Sequence, residues 1–349
     1  MKRNTFPLNN LLMKGLSIVI LLTIFSSFFL FSTSVTSGGW VKLNQLNYPV
    51  LGLACLALIL SWLAEGFRIK IIASGLGEKI SFLKIFGINL ASSFTGNVTP
   101  FSSGGVPTQI FLLCKNGLTP GRAGALVTIR IVISTLLFTT VAPFLILFYH
   151  ARFSFGILHQ VTTIAIPLAA ILSIALIIFI LNPKLTADLF RKLLNSLKLG
   201  RIGHRIEPFL DKIILEAEIF HRSIKEFRNV LNIILVFFFT IAYWVFFFGI
   251  APLLMYAFGL NPAGKIVEII LLQFILVFVL AYLPIPGGTG VMELSLYSVL
   301  VFIPLQFRAI FIFLWRFLSY YLSTFVGGFV LLRLINRPIR LEQSAAAPK

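Results

Sequence analysis

Two arginines, Arg130 and Arg316, stand inside long apolar runs. Each follows another arginine, Arg122 or Arg308, by eight residues, and eight residues rise about 12 Å along a helix. A guanidinium at that depth of a bilayer costs about 2.5–3.5 kcal/mol on insertion scales. It must therefore be paired or line a polar cavity. A paired arginine fixes packing. An arginine in a cavity can grip a phosphate or carboxylate through two parallel hydrogen bonds. Glu293 and Glu65 are the acidic candidates for pairing. Glu293 could instead carry a proton or hold a cationic amine. Glu65 lies three residues before Arg68, near the end of its run, and reads as a local surface pair rather than a site.

Two breaks in the apolar pattern could supply the rest of a site. The first reads Pro100-Phe-Ser-Ser-Gly104-Gly105-Val-Pro107-Thr-Gln109, and the second Pro284-Ile-Pro286-Gly287-Gly288-Thr-Gly290-Val-Met-Glu293. Each has proline, paired glycine, then a long polar residue. Matching glycine pair to glycine pair requires a three-residue gap. The prolines cannot continue a helix ladder, and the glycines permit tight turns and close backbone approach. Non-helical backbone at membrane depth needs protein or a wet cavity to satisfy it. Amide groups in such turns, and helix ends leaving them, can hold an anion. Two kinked helices packed by small residues are the alternative.

The elements that position these groups are apolar helices. The 349 residues are 58% hydrophobic and 11% charged, with a mean hydropathy of +0.99. A soluble domain holds about 25% charged residues, so an ordinary soluble enzyme and a disordered chain are both excluded. The runs are continuous rather than alternating, which argues against a transmembrane β-barrel. Full spans are expected at about 11–34, 48–73, 121–148, 155–182, 229–258 and 306–335. The first resembles a signal peptide but is long for one, and an uncleaved helix is preferred. Around the breaks, limbs at 81–97 and 108–117, and at 264–283 and 293–303, form two hairpins. Their second limbs hold about 10 residues where a crossing needs about 20, so re-entrant hairpins are expected.

Charge sets the orientation. There are 29 Lys and Arg against 11 Asp and Glu. With the N-terminus inside, 23 of these cations face the cytoplasm, four face outside and two lie within spans. That asymmetry places both termini in the cytoplasm and makes the basic balance a membrane signature rather than a nucleic-acid one. The fold expected is an all-α polytopic membrane protein, an inverted repeat of helices with two Pro/Gly-broken re-entrant hairpins. Its parts are an N-terminal repeat over 1–182 (hairpin about 81–117), a basic linker over 183–228, a C-terminal repeat over 229–340 (hairpin about 264–303) and a tail over 341–349. The linker repeats leucine every four residues from Leu185 to Leu197, beside Arg191, Lys192 and Lys198. It is either an amphipathic helix on an anionic membrane surface or a solvated connector.

Enzymatic signatures are missing from the sequence. There is no complete P-loop, no HExxH and no nucleophile elbow. Cys55 and Cys114 sit in apolar context, and the four histidines are scattered without metal-ligand spacing. Neither a catalytic residue, nor a cofactor, nor a metal site is assigned.

The second break, Leu283-Pro-Ile-Pro-Gly-Gly-Thr-Gly-Val-Met-Glu293, followed by Arg316, resembles the lysylphosphatidylglycerol synthase transmembrane (flippase-like, UPF0104) family. Gly105, Arg122 and Arg130 match its weaker first motif, and the resemblance covers about residues 11–335. Gln109 stands where the family pattern leads one to expect an acidic or polar residue in a shorter Pro-x-x-x-Gly-Glu string, and the soluble aminoacyl-transferase domain of the bifunctional members is missing. The resemblance implies an inner-membrane protein handling a lipid or lipid-linked head group. It implies a substrate site of Gly104, Gly105, Gln109, Arg130, Pro286, Gly287, Gly288, Glu293 and Arg316. The expected activity is translocation of an anionic or aminoacylated phospholipid, or of a polyprenyl-linked intermediate, between leaflets. A lipid head-group transferase and a scaffold for an envelope-modifying complex are the alternatives. A homo-oligomer is compatible with this reading, and a nucleic-acid partner is not expected.

Overall fold

The computed structural model describes residues 46–149, 218–280 and 285–336, with a few isolated positions elsewhere. The expected spans at 11–34 and 155–182, most of the linker, and the tail lie outside the described residues. Every regular element within them is helical. Helix α1 is Tyr48–Gly75, α2 is Phe82–Asn97, α3 is Gly105–Lys115 and α4 is Pro120–Tyr149. A 3-10 turn, Pro100–Ser102, separates α2 from α3. Later in the chain come α5 (Val230–Ala257), α6 (Ile266–Leu280), a 3-10 turn (Pro286–Gly288) and α7 (Val291–Val299). Helix α8 (Leu305–Arg316) continues through a π turn, Phe317–Tyr321, into α9 (Leu322–Asn336).

Among the described residues, four helices are long and apolar enough to cross a membrane: Tyr48–Gly75, Pro120–Val141, Val230–Ala257 and Leu305–Asn336. They coincide with four of the expected spans. Their outer faces are apolar rather than charged. Helix α5, for example, exposes Leu231, Ile234, Phe238 and Val245, as a lipid-facing helix must. The chain is thus an all-α polytopic membrane protein. The hairpin limbs are shorter. Helices α2 and α3 hold 16 and 11 residues, and α6 and α7 hold 15 and 9. At 1.5 Å per residue none reaches the ~30 Å of a bilayer core.

The described elements repeat. Helices of 28, 16, 11 and 30 residues with a three-residue turn recur as 28, 15 and 9 residues, the same kind of turn, and a 32-residue composite helix. Backbone conformation fixes the register. Phe101 and Ser102 have φ of 55° and 53°, and Gly287 and Gly288 have 58° and 63°. Each pair directly follows a proline, Pro100 or Pro286. Pro100 and Pro286, Arg122 and Arg308, and Arg130 and Arg316 are each 186 residues apart. No gap is needed. The match of Gly104-Gly105 to Gly287-Gly288 is therefore corrected. Gly104 corresponds to Gly290, and Pro107, not Gln109, stands where the second repeat has Glu293. Nor does Pro107 break a helix. It lies in the first turn of α3, where a missing N–H costs nothing.

Phe101 and Ser102 hold a left-handed conformation that side chains disfavour by about 1–2 kcal/mol per residue. Ser102→Gly is expected to raise stability by about 1 kcal/mol, once glycine's larger entropy loss is counted. Thermal unfolding in detergent measures it, and a fall in the melting temperature would show that the serine side chain holds the turn.

The described residues fall into two compact units. One takes residues 46–66, 83–109 and those from 241 onward, and the other takes 67–82, 110–149 and 218–240. In the second unit the end of the linker docks on α4. The Glu216 carboxylate accepts the Gly121 N–H at 2.6 Å, a favourable charge at a helix start. Phe220 packs beside Gly124. This stretch is therefore a packed part of the fold.

Candidate functional site

In the first unit the two breaks pack against each other. Small residues make the first one tight. A Cβ on Gly104 would strike the Thr95 carbonyl and the Thr99 side chain, and one on Gly105 would lie 3.2 Å from the Ser92 carbonyl. Thr99 ties the turn: its hydroxyl donates to the Thr95 carbonyl at 2.7 Å and accepts the Gly104 N–H at 2.8 Å. At the second break Gly287 abuts Tyr320 so closely that a Cβ would clash with its hydroxyl oxygen and two of its ring carbons. The Tyr320 hydroxyl donates to the Asn97 carbonyl at 3.0 Å. Asn97 in turn donates its amide to Thr324 at 2.7 Å. One tyrosine thus touches both breaks.

A buried ion pair lies at the second break. Glu293 is 1% exposed and Arg316 4%. Arg316 Nε donates to Glu293 Oε1 at 2.8 Å, and Nη2 donates to the Gly287 carbonyl at 3.0 Å. The other carboxylate oxygen accepts the Gly290 N–H at 2.7 Å. Glu293 is the third residue of α7 and reaches back to its cap, as in half of a capping box. Tyr321 adds a hydroxyl to Oε1 at 3.2 Å. The guanidinium stands 4.3 Å from the Tyr320 ring centroid, close enough for a cation–π attraction. Of the two acidic candidates, Glu293 is therefore the partner of Arg316.

The structure gathers Pro286, Gly287, Gly288, Glu293 and Arg316 at one break, with Gly104 and Gly105 at the other. Gln109 lies one turn along α3 from Gly105, fully buried. Arg130 belongs to the second unit, half-buried on α4. The arginines at the repeat's outer positions do a different task. Arg308 donates to the carbonyls of Tyr297, Val301 and Ile303, closing the end of α7. Arg122 pairs with Glu78 and reaches the Leu76 carbonyl, just beyond α1.

A family model for the lysylphosphatidylglycerol synthase TM region matches residues 15–327. The chain belongs to that family. Within the lysylphosphatidylglycerol synthase TM family it is 25% identical over 321 residues to a UPF0104 membrane protein of Archaeoglobus fulgidus, covering 88% of this chain and 94% of the relative. No solved structure matches it. The family resemblance read from the Pro-x-Pro-Gly-Gly-x-Gly-x-x-Glu string thus holds over most of the chain.

A second sequence reading, after the register of the repeat, is overturned. Glu65 and Arg68 are not a surface pair, being 4% and 3% exposed. Within the second unit Arg68 Nη1 donates to the hydroxyls of Ser134 at 2.7 Å and Thr240 at 3.3 Å. Arg68 is seven residues from the end of α1, or about 10 Å of rise, which is too deep for a surface group. Tyr320, Tyr321 and Asn97 were also missed, because no spacing rule marks an aromatic that covers a guanidinium. The available signal was Gly287, whose missing side chain implies a neighbour pressed against the backbone.

Proposed function

We propose that the protein translocates a lipid or lipid-linked head group between leaflets, and that the two meeting breaks with the Glu293–Arg316 pair are where the head group is handled. The observation that carries this reading is the pair itself. Two opposite charges are buried where two non-helical segments meet, in a membrane protein of a lipid-related family. A buried pair of this kind contributes little net stability. It suits a switch: an anionic phosphate competes with Glu293 for Arg316, and an aminoacylated head group engages both partners with its two signs.

The repeat, read with the Lys/Arg distribution, supports an inverted arrangement with re-entrant hairpins and both termini in the cytoplasm. In that arrangement Arg130 is the first repeat's counterpart of Arg316. Where the second repeat has Glu293, the first has Pro107. The membrane is the cell's cytoplasmic membrane, and the substrate is an anionic or aminoacylated phospholipid or a polyprenyl-linked intermediate.

The test is leaflet exchange of labelled phosphatidylglycerol, an aminoacylated lipid and a polyprenyl phosphate in proteoliposomes. The wild type is compared with an Arg130→Ala/Arg316→Ala variant whose folding is first verified by thermal unfolding, since Glu293 loses its buried partner in it. Exchange by the wild type is expected for at least one lipid, with a loss of about a hundredfold in the variant, as for removal of charge-assisted contacts. No exchange of any lipid by folded wild-type protein would sink translocation in favour of a scaffold. Chemical modification of the lipid would favour a transferase.

A further inference from the structure

Helix α2 carries a polar face that the ion-pair site does not use. Asn89, Ser92 and Thr95 are spaced three apart, and Thr99 follows four residues later. At about 100° per residue they share one side of the helix. All are buried, with exposures of 5, 5, 2 and 9%. The hydroxyls survive burial by donating to their own backbone: Ser92 to the Asn89 carbonyl, Thr95 to that of Ser92 and Thr99 to that of Thr95. Such back-bonding leaves oxygen lone pairs as acceptors on Ser92 and Thr95, and one on Thr99, whose other takes the Gly104 N–H.

Helix α3 closes over this face. Gly105 meets the Ser92 carbonyl and Gly96, and Gln109 stands one turn further along the same side of α3. Gln109 is 0% exposed, and neither its amide nitrogen nor its oxygen has a hydrogen-bond partner among the described residues. Burying a carboxamide unpaired costs a few kcal/mol. Leucine would serve the fold better there. Nor does a hairpin of this kind demand polar residues. The positions 186 residues on from Asn89, Ser92, Thr95 and Thr99 are Ile275, Phe278, Ala281 and Ile285. The second hairpin carries the ion pair, and the first carries the polar face.

We propose that the α2 face and Gln109 form a lane for the uncharged, hydroxyl-bearing part of a head group, such as glycerol or sugar. The inference rests on the translocation reading above and names the substrate class. Gln109 supplies one amide donor and one carbonyl acceptor, and the serine and threonine oxygens add acceptors. Hydroxyl groups, both donors and acceptors, match that set, and none of these side chains carries a charge that would select a phosphate. The lane runs along α2 to Thr99, where the first break meets the second. The charged part of the head group is left to Arg316.

Three measurements on the full-length protein test this. Gln109→Leu is expected to melt a few degrees higher than wild type, because two unpaired polar atoms are removed. A lower melting point would make Gln109 a structural residue and overturn the lane. The same variant is expected to slow exchange of fluorescent phosphatidylglycerol by about tenfold, the worth of a neutral hydrogen bond or two, and to leave phosphatidic acid, whose head group has no alcohol hydroxyl, within about twofold. Equal loss for both lipids would overturn hydroxyl recognition. Finally, Ser92→Cys and Thr95→Cys, made in a Cys55→Ala/Cys114→Ala background, are expected to react with a membrane-impermeant maleimide while Leu276→Cys does not. Failure of both to react would show that no polar path reaches the face. Should the wild type move neither lipid, the translocation reading falls, while the melting and labelling results still decide whether the lane exists.

Discussion

Glu293→Ala is expected to destabilise the protein by about 3–5 kcal/mol, the cost of leaving a buried charge without its partner. Arg316 is 4% exposed and cannot turn to solvent without dismantling the break, because it also holds the Gly287 carbonyl. The substitution further removes the acceptor of the Gly290 N–H at the start of α7. Removing both charges is a different matter. Glu293→Leu/Arg316→Leu is expected to recover most of the loss, since a buried pair exchanged for apolar residues of similar volume is often near neutral. Unfolding of the two variants in detergent separates these cases. If the double variant is as unstable as the single one, the pair is a packing device and not a poised pair of charges. If it folds and no longer exchanges lipid, stability and transport have been separated at one site.

Gly287→Ala carries the second large effect. Glycine is required there twice. The backbone φ is 58°, where a side chain costs about 1–2 kcal/mol, and the added Cβ would clash with the Tyr320 hydroxyl and two of its ring carbons. Overpacking of that kind adds about 1–3 kcal/mol. The expected loss is about 2–5 kcal/mol in all, measured by thermal unfolding. Tyr320→Phe should not rescue it, because ring carbons as well as the hydroxyl occupy the space. Tyr320→Ala should remove the steric part and leave the backbone part. Displacing Tyr320 also breaks its bond to the Asn97 carbonyl. Lipid exchange should therefore fall in Gly287→Ala even at temperatures where the protein is folded. An alanine variant with wild-type melting and wild-type exchange would show that the close packing of Tyr320 on Gly287 is not needed.

These residues show what can be read from the chain and what cannot. The long spans were legible because a helix in lipid must be apolar along its length, and α1, α4 and α5 begin and end within a few residues of the hydropathy limits. The breaks were legible because proline and glycine are the residues that interrupt helices. Glu293 and Arg316 were legible because a charge in an apolar run demands a reason. The register of the repeat was not. Glycine was matched to glycine, whereas the left-handed positions of the first break hold Phe101 and Ser102, residue types that give no hint of that conformation. The burial of Arg68 was missed because a position near a helix end was equated with the surface. Its partners, Ser134 and Thr240, are 66 and 172 residues away, and neutral hydroxyls announce no pairing.

The π turn at Phe317–Tyr321 has an effect that reaches beyond its five residues. A π turn accommodates one more residue than the α-helical turn it replaces, and so acts as a phase slip of about 100° in an otherwise continuous rod. Upstream of it, Arg316 is aimed by the angular setting of α8. Downstream, Gly327 and Gly328 are aimed by the shifted setting of α9, flat against Leu90 and Phe94 of α2. The slip uncouples those two directions. One transmembrane rod can therefore present a charge to the break and a smooth glycine surface to its neighbour, although an unslipped helix with the same spacing would have had to compromise between them.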